Sequence, residues 1–141
     1  MVWQLDPKID ADTYHVIDQP GLVVLLMDDK RYPWLIIVPK KDNIRELIDL
    51  NEDEKKQIYQ CIDLISNFLK LKYIDATINV AKIGNIVKQL HIHIVARNEN
   101  DSSWPNPVWG IGRPQKYKKN EAKIIIEELT QYLTENYPHK D

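Results

Sequence analysis

The chain has 141 residues, 43% of them hydrophobic and 28% charged, with a formal net charge of −2 at neutral pH. That length suits a single domain spanning 1–141, the composition is that of a folded globular protein, and the charge gives no general attraction for a nucleic acid polymer. No stretch approaches the roughly 20 apolar residues that cross a bilayer, and the first seven residues lack a basic start followed by an apolar run, so no membrane partner and a cytoplasmic location are expected.

Tyr14–Asp18 and Leu22–Met27 are β-rich runs split by Gln19-Pro20-Gly21, where proline presets φ and glycine permits φ > 0, so they predict a hairpin. Asp28–Arg31 makes the next turn, and Trp34–Val38 predicts a third strand stopped by Pro39, which cannot donate to a ladder. Asn51 and Glu54 have the spacing of a capping box, and Ile58, Cys61, Ile62, Ile65, Phe68 and Leu69 then recur at helical spacing, predicting a helix over about 52–71. Strands are expected at Ala76–Ala81 and Leu90–Ala96, and a closing helix at Glu121–Tyr137 with Ile125, Leu129, Tyr132 and Leu133 on one side. Hairpins feeding an antiparallel sheet, covered by a long helix and a C-terminal helix, make the class α+β. Cys61 is the only cysteine, so it cannot form an internal disulfide, and its place on the apolar side of the helix predicts a small core hydrophobe, with a catalytic thiol as the lesser reading.

The chemistry concentrates in residues 89–97, Gln-Leu-His-Ile-His-Ile-Val-Ala-Arg. Side chains alternate across a strand, so Leu90, Ile92 and Ile94 point into a core while Gln89, His91 and His93 share the other face, the imidazoles about 7 Å apart along the backbone. An imidazole with an ordinary pKa near 6.5 is unprotonated at neutral pH and can attack phosphorus without special tuning. Gly84, in the connection leading to this run, lets backbone approach a ligand, and Asn85 beside it can hydrogen-bond phosphate or ribose. Asp101–Gly110 is rich in tryptophan and proline and predicts an ordered loop, with Trp104 and Trp109 as an aromatic wall over the site or against a partner subunit, or equally as a plain closure of the sheet's end. Lys82 and Lys88 are available to balance substrate charge, although such residues are commonly solvated surface.

The run resembles the signature of the histidine-triad (HIT) family of nucleotide hydrolases and transferases, His-φ-His-φ-His-φ-φ with φ apolar. Laid over it, Gln89 takes the place of the first histidine, His91 the second and His93 the third, with Arg97 ending the stretch. Asn79 falls on an asparagine usual in the family, Gly84-Asn85 on a common Gly-Gln pair, and Trp34–Lys41 on a strand ending Val-Ile-Pro-Lys. The resemblance implies a HIT-like fold, a homodimer, and transfer of a nucleotide's α-phosphate to His91. The other nitrogen of that ring would donate to the carbonyl of residue 89. It further implies that Asn79, Asn85 and Gln89 position the phosphate, that His93 touches its oxygens or the departing group, and that Arg97 balances substrate charge. No cofactor is required by the protein, though a polyphosphate substrate can bring Mg²⁺. Two departures matter. Gln89 has no proton that titrates near neutrality, and Ile86 stands where the family often has a hydroxyl.

Three other readings of the same residues differ in kind. The histidines can be hydrogen-bonded structural residues, or the chain can bind a nucleotide without turning it over. They can also hold a metal as a His-x-His pair, but His15 and His139 are the only other histidines, so further ligands would have to be carboxylates such as Glu99.

Overall fold

In a computed structural model, which describes residues 2–138, five strands run Thr13–Gln19 (β1), Leu22–Met27 (β2), Trp34–Pro39 (β3), Thr77–Ala81 (β4) and Ile92–Arg97 (β5). They form one sheet in the order β1-β2-β3-β5-β4, antiparallel throughout. The helices are Pro7–Asp12 (α1), Glu52–Lys72 (α2) and Lys119–Asn136 (α3). Asn51 caps α2 by accepting from the Glu54 amide at 2.9 Å while the Glu54 carboxylate accepts from the Asn51 amide at 2.8 Å, so the expected capping box forms. The α+β class holds, with the predicted strands and both predicted helices displaced by a few residues at their ends.

One side of the sheet packs on α2 and α3. Leu22, Val24, Leu26, Leu35, Ile37, Ile92 and Ile94 from the strands meet Ile58, Cys61, Ile65 and Leu69 of α2 and Leu129 and Leu133 of α3. Cys61 is fully buried there, and burial pushes its thiol up to about 12, which leaves it no role as a nucleophile. The opposite face is covered too. Val23, Leu25, Trp34, Ile36, Val38 and Val95 pack under Ile9 of α1, Tyr32 and Val108. Burial on both faces is why β2 and β3 are unbroken apolar runs and not alternating ones.

Two features differ from the sequence reading. Helix α1 is new: Asp6 accepts from the Lys8 amide at 2.8 Å and Pro7 opens the helix, a start signal that precedes the first predicted strand. β5 begins at Ile92, so Gln89, Leu90 and His91 lie ahead of the ladder, held by the Leu90 amide donating to the Ile44 carbonyl at 2.9 Å.

Arg97, expected to balance substrate charge, is bonded within the fold. Its side chain is 1% exposed and each guanidinium nitrogen is bonded inside the fold, Nε and Nη2 to the Asp101 carboxylate at 2.7 and 3.0 Å and Nη1 to Asn79 Oδ1 at 3.1 Å. Nη2 also donates to Ser103 Oγ at 3.1 Å and the Asn106 carbonyl at 2.8 Å. Burial pushes the Asp101 carboxyl upward, but the guanidinium and the Ser103 and Asn98 amides outweigh it and hold the group below the usual carboxylate range. Arg97 thus pins the loop after β5 to the sheet, and Asn79, expected on a phosphate, serves as one of its acceptors. Removing one partner of a buried pair strands the other, so Arg97→Ala is expected to cost about 3–5 kcal/mol in urea unfolding. Unchanged stability with lost nucleotide affinity would instead place the guanidinium on substrate.

Candidate active site

The face of the sheet away from α2 and α3 carries a cleft of about 310 Å³ between α1, the connection from β4 to β5, and Trp109. Ile9, Met27, Trp34, Ile36, Val87 and Trp109 give it apolar walls, and Lys8, Asp12, Thr13 and Asn85 supply polar groups. Both His91 and His93 line it. An apolar slot with a few convergent polar groups is the usual form of a small-molecule site.

The two imidazoles are 4.9 Å apart between ring centres and inclined at 70°. His91 is 9% exposed, and its Nδ1 lies 2.7 Å from the Gln89 carbonyl. A carbonyl can only accept, so Nδ1 carries the proton and Nε2 of the neutral ring keeps its lone pair. His93 is bonded in the opposite sense: the Trp34 indole N–H donates to its Nδ1 at 3.0 Å. Indole nitrogen can only donate, which leaves the proton of neutral His93 on Nε2. One ring offers a lone pair and its neighbour offers an N–H, a pairing that suits attack on phosphorus beside a donor to the departing or non-bridging oxygen.

Gln89 contributes its backbone here and spends its side chain elsewhere. Its Oε1 accepts from the Asp6 amide at 2.8 Å and its Nε2 donates to the Gln4 carbonyl at 2.9 Å. The amide expected on the phosphate is therefore occupied by the N-terminal segment. By fastening residues 4–6 it sets the start of α1, which lays buried Ile9 and the Lys8–Asp12 ion pair along the cleft. Neither Gln89, Asn79 nor Arg97 lines the cleft; Asn85 does, exposed at its rim. Gly84 has a φ of +67°, the left-handed conformation that favours glycine. Lys82 is paired with Glu46 at 2.6 Å and does not face the histidines as a free cation.

Of the two loop tryptophans only Trp109 reaches the site, its ring 5.1 Å from His93 and 5.9 Å from Trp34. Trp104 lies over the Arg97 guanidinium, 5.8 Å from its carbon. Past Trp109 the loop is tied by Arg31, which pairs with buried Asp29 at 2.8 Å and donates to the Ile111 carbonyl at 2.6 Å. Lys8, Ile9, Met27 and Trp34 are cleft residues that the sequence reading missed as such. The Asp6-Pro7 helix start could have flagged the first two, whereas nothing local marks Trp34 as a partner of a residue 59 positions away. Among the described residues no group of three or more His, Cys, Asp or Glu could hold a metal ion; His139 lies outside them.

Burial, then the neighbouring His91 ring, pushes His93 down to about 3. An unfolded chain protonates histidine near 6.5, so between these values the unfolded state binds a proton that the folded state refuses. The stability involved is intact above about pH 6.5 and is lost as the pH falls. Below about pH 6, wild-type stability is expected to drop by about 1.4 kcal/mol per pH unit more than that of His93→Leu in urea unfolding. Parallel slopes would mean that folded His93 protonates freely.

Comparison with known proteins supplies the context. The HIT domain family matches residues 8–100. A histidine triad protein from Bradyrhizobium japonicum superposes with a TM-score of 0.89 at 36% identity, covering 94% of this chain and 98% of that one. One from Marinobacter aquaeolei VT8 does so with a TM-score of 0.91 at 31% identity, covering 96% and 98%. A bis(5'-adenosyl)-triphosphatase of Saccharomyces cerevisiae is 34% identical over a 68-residue alignment that covers 45% of this chain and 33% of the yeast protein, so the match spans a third of that relative's length. The matched residues contain the whole cleft-bearing part of the sheet and the superpositions run nearly end to end, and the chain belongs to the HIT domain family.

Proposed function

We propose that the protein is a nucleotide hydrolase that works through a covalent nucleotidyl intermediate on His91, with Gln89 standing where the histidine triad has its first histidine. The observation that carries this is the hydrogen bond from His91 Nδ1 to the Gln89 carbonyl, which leaves Nε2 with a lone pair on a ring that lines the cleft. In the first step Nε2 forms a bond to the α-phosphorus and the bond from phosphorus to the leaving oxygen breaks, its electron pair departing with the leaving group. The ring is then cationic, and the Nδ1–H bond to the carbonyl becomes charge-assisted. Water next forms a bond to phosphorus, the N–P bond breaks, the imidazole recovers its lone pair, and the proton from water passes to solvent. The name of the yeast relative supports a substrate of the dinucleoside polyphosphate class. Mg²⁺ would arrive with such a substrate and not as a resident cofactor. In this reading the protein is a cytoplasmic homodimer, and Asn85 is the one predicted phosphate ligand still placed at the cleft.

The leaving group follows from the same geometry. His93 stays neutral down to strongly acidic pH and Gln89 has no titratable proton, so neither ring nor amide hands over a proton as a ready acid near neutrality. His93 Nε2–H can hydrogen-bond the departing oxygen without being transferred. Groups that leave as stable anions are therefore favoured over amines.

Incubating wild type and His91→Ala with α-labelled dinucleoside polyphosphate and with an adenosine phosphoramidate tests both points. Acid-labile label on the wild type, its absence from the variant, and faster release from the polyphosphate are expected. Faster release from the phosphoramidate would overturn the leaving-group argument. Nucleotide binding without label or turnover in either protein would make the chain a binding protein, a reading favoured by the commitment of the Gln89 amide to the N-terminal segment.

A further inference from the structure

We propose that Trp34 is a positioning residue that selects the tautomer of His93 and so aims a permanent N–H into the cleft. The inference rests on the nucleotidyl-transfer reading for its consequence but not for its geometry. Trp34 opens β3 and pairs in register with Val95, which puts its indole diagonally across the ladder from His93, within reach of a large aromatic side chain. The rings are 5.6 Å apart between centres, Trp34 is 6% exposed and His93 5% exposed, so no bulk water competes for the contact.

The bond from Trp34 Nε1 to His93 Nδ1 is 3.0 Å long and has only one possible polarity, because indole nitrogen carries a hydrogen and no available lone pair. Two of the three forms of His93 place a hydrogen on Nδ1: the other neutral tautomer and the imidazolium. Both would set N–H against N–H at hydrogen-bond distance. The Trp34 donor therefore excludes both, and only the neutral ring with hydrogen on Nε2 fits. This exclusion adds to the effect of burial and is directional in a way that burial is not.

Other groups around His93 do not make this choice. His91 is the titratable neighbour on its own segment, and its Nδ1 is committed to a carbonyl. β3 contributes Ile36 opposite His93, β4 contributes Ala81, and the loop contributes Trp109, none of them charged. Across the cleft α1 presents Lys8 and Asp12, paired with each other at 2.9 Å. Among the described residues Trp34 is thus the one partner of His93 Nδ1. In the proposed reaction the result is a second ring that donates to phosphate or leaving-group oxygen at every working pH and never competes with His91 as a nucleophile through a lone pair on Nε2.

The test is ¹⁵N NMR of histidine-labelled protein at pH 7 and through an acid titration, comparing wild type with Trp34→Phe. A second variant carries benzothienylalanine at position 34, which keeps the indole shape and lacks the N–H, so a packing defect in the phenylalanine variant does not decide the outcome. In the wild type the His93 signals are expected to show protonated Nε2 and bare Nδ1 down to about pH 5. Both variants are expected to show mixed tautomers and protonation at higher pH, with kcat on the dinucleoside polyphosphate down about tenfold or more and KM little changed. Retention of the wild-type tautomer and titration in both variants would overturn the role of Trp34. A tautomer change in a protein whose wild type turns over no nucleotide would leave that role standing and overturn the hydrolase reading instead.

Discussion

β5 is covered on both faces, and a polar group placed on such a strand must find its hydrogen bonds inside the protein. Ile92, Ile94 and Ala96 meet this constraint by being apolar and facing α2 and α3. The polar residues of the segment meet it one by one: His91 against a backbone carbonyl, His93 against an indole, Arg97 against a carboxylate, an amide oxygen, a hydroxyl and a carbonyl. Every partner is also a constraint on chemistry. A carbonyl forces hydrogen onto a nitrogen, an indole forces it off, and a carboxylate ties a cation into the fold. The site is made by how burial is satisfied at 91 and 93, and ended by how it is satisfied at 97.

The Arg97 end of the strand still matters to the cleft, by a mechanical route. Asp101, Ser103 and Asn106 are held by the guanidinium, while Ile111 is held by Arg31. Trp109 lies between these two anchorages. A side chain that must stand 5.1 Å from His93 is thereby carried on a loop tethered on both sides by buried or nearly buried cations. The N-terminal wall is set in a comparable way through Gln89 and the Asp6 cap. Rigid support of this kind is what a site needs if its rings are to keep orientations that a small rotation would spoil.

Much of this was readable in the sequence, since alternation in residues 89–97 placed His91 and His93 together and the capping box and helical spacing over about 52–71 placed α2. Periodicity tells which residues share a face but not what covers that face. The sequence reading took the sheet as covered by the two long helices, whereas β2 and β3 are buried on both sides, the second cover being α1 and a loop with no periodic pattern. Arg97 shows the same limit. A charge at the end of a site-bearing strand suits substrate or structure equally well, and it is Asp101 four residues later, folded back onto it, that ties Arg97 into the fold. Trp34 and His93 meet through strand pairing across 59 residues, which no local pattern encodes.

Glutamine at position 89 makes physical sense once its two functions are separated. The carbonyl that orients His91 belongs to the backbone and would be supplied by any residue in that conformation. What the side chain must then do is bridge the free amide of Asp6 and the free carbonyl of Gln4, one acceptor and one donor on a single group. A carboxamide has both at once and keeps them at every pH. An imidazole in that place would have the same pair only while neutral, because protonation converts its acceptor into a second donor and would set it against the Asp6 amide. A side chain that titrates would thus loosen α1, and with it the wall carrying Ile9 and Lys8, in the pH range where histidine changes charge. Holding the wall and supplying an acid are competing demands on one residue, and in this chain the bonds of Gln89 meet the first.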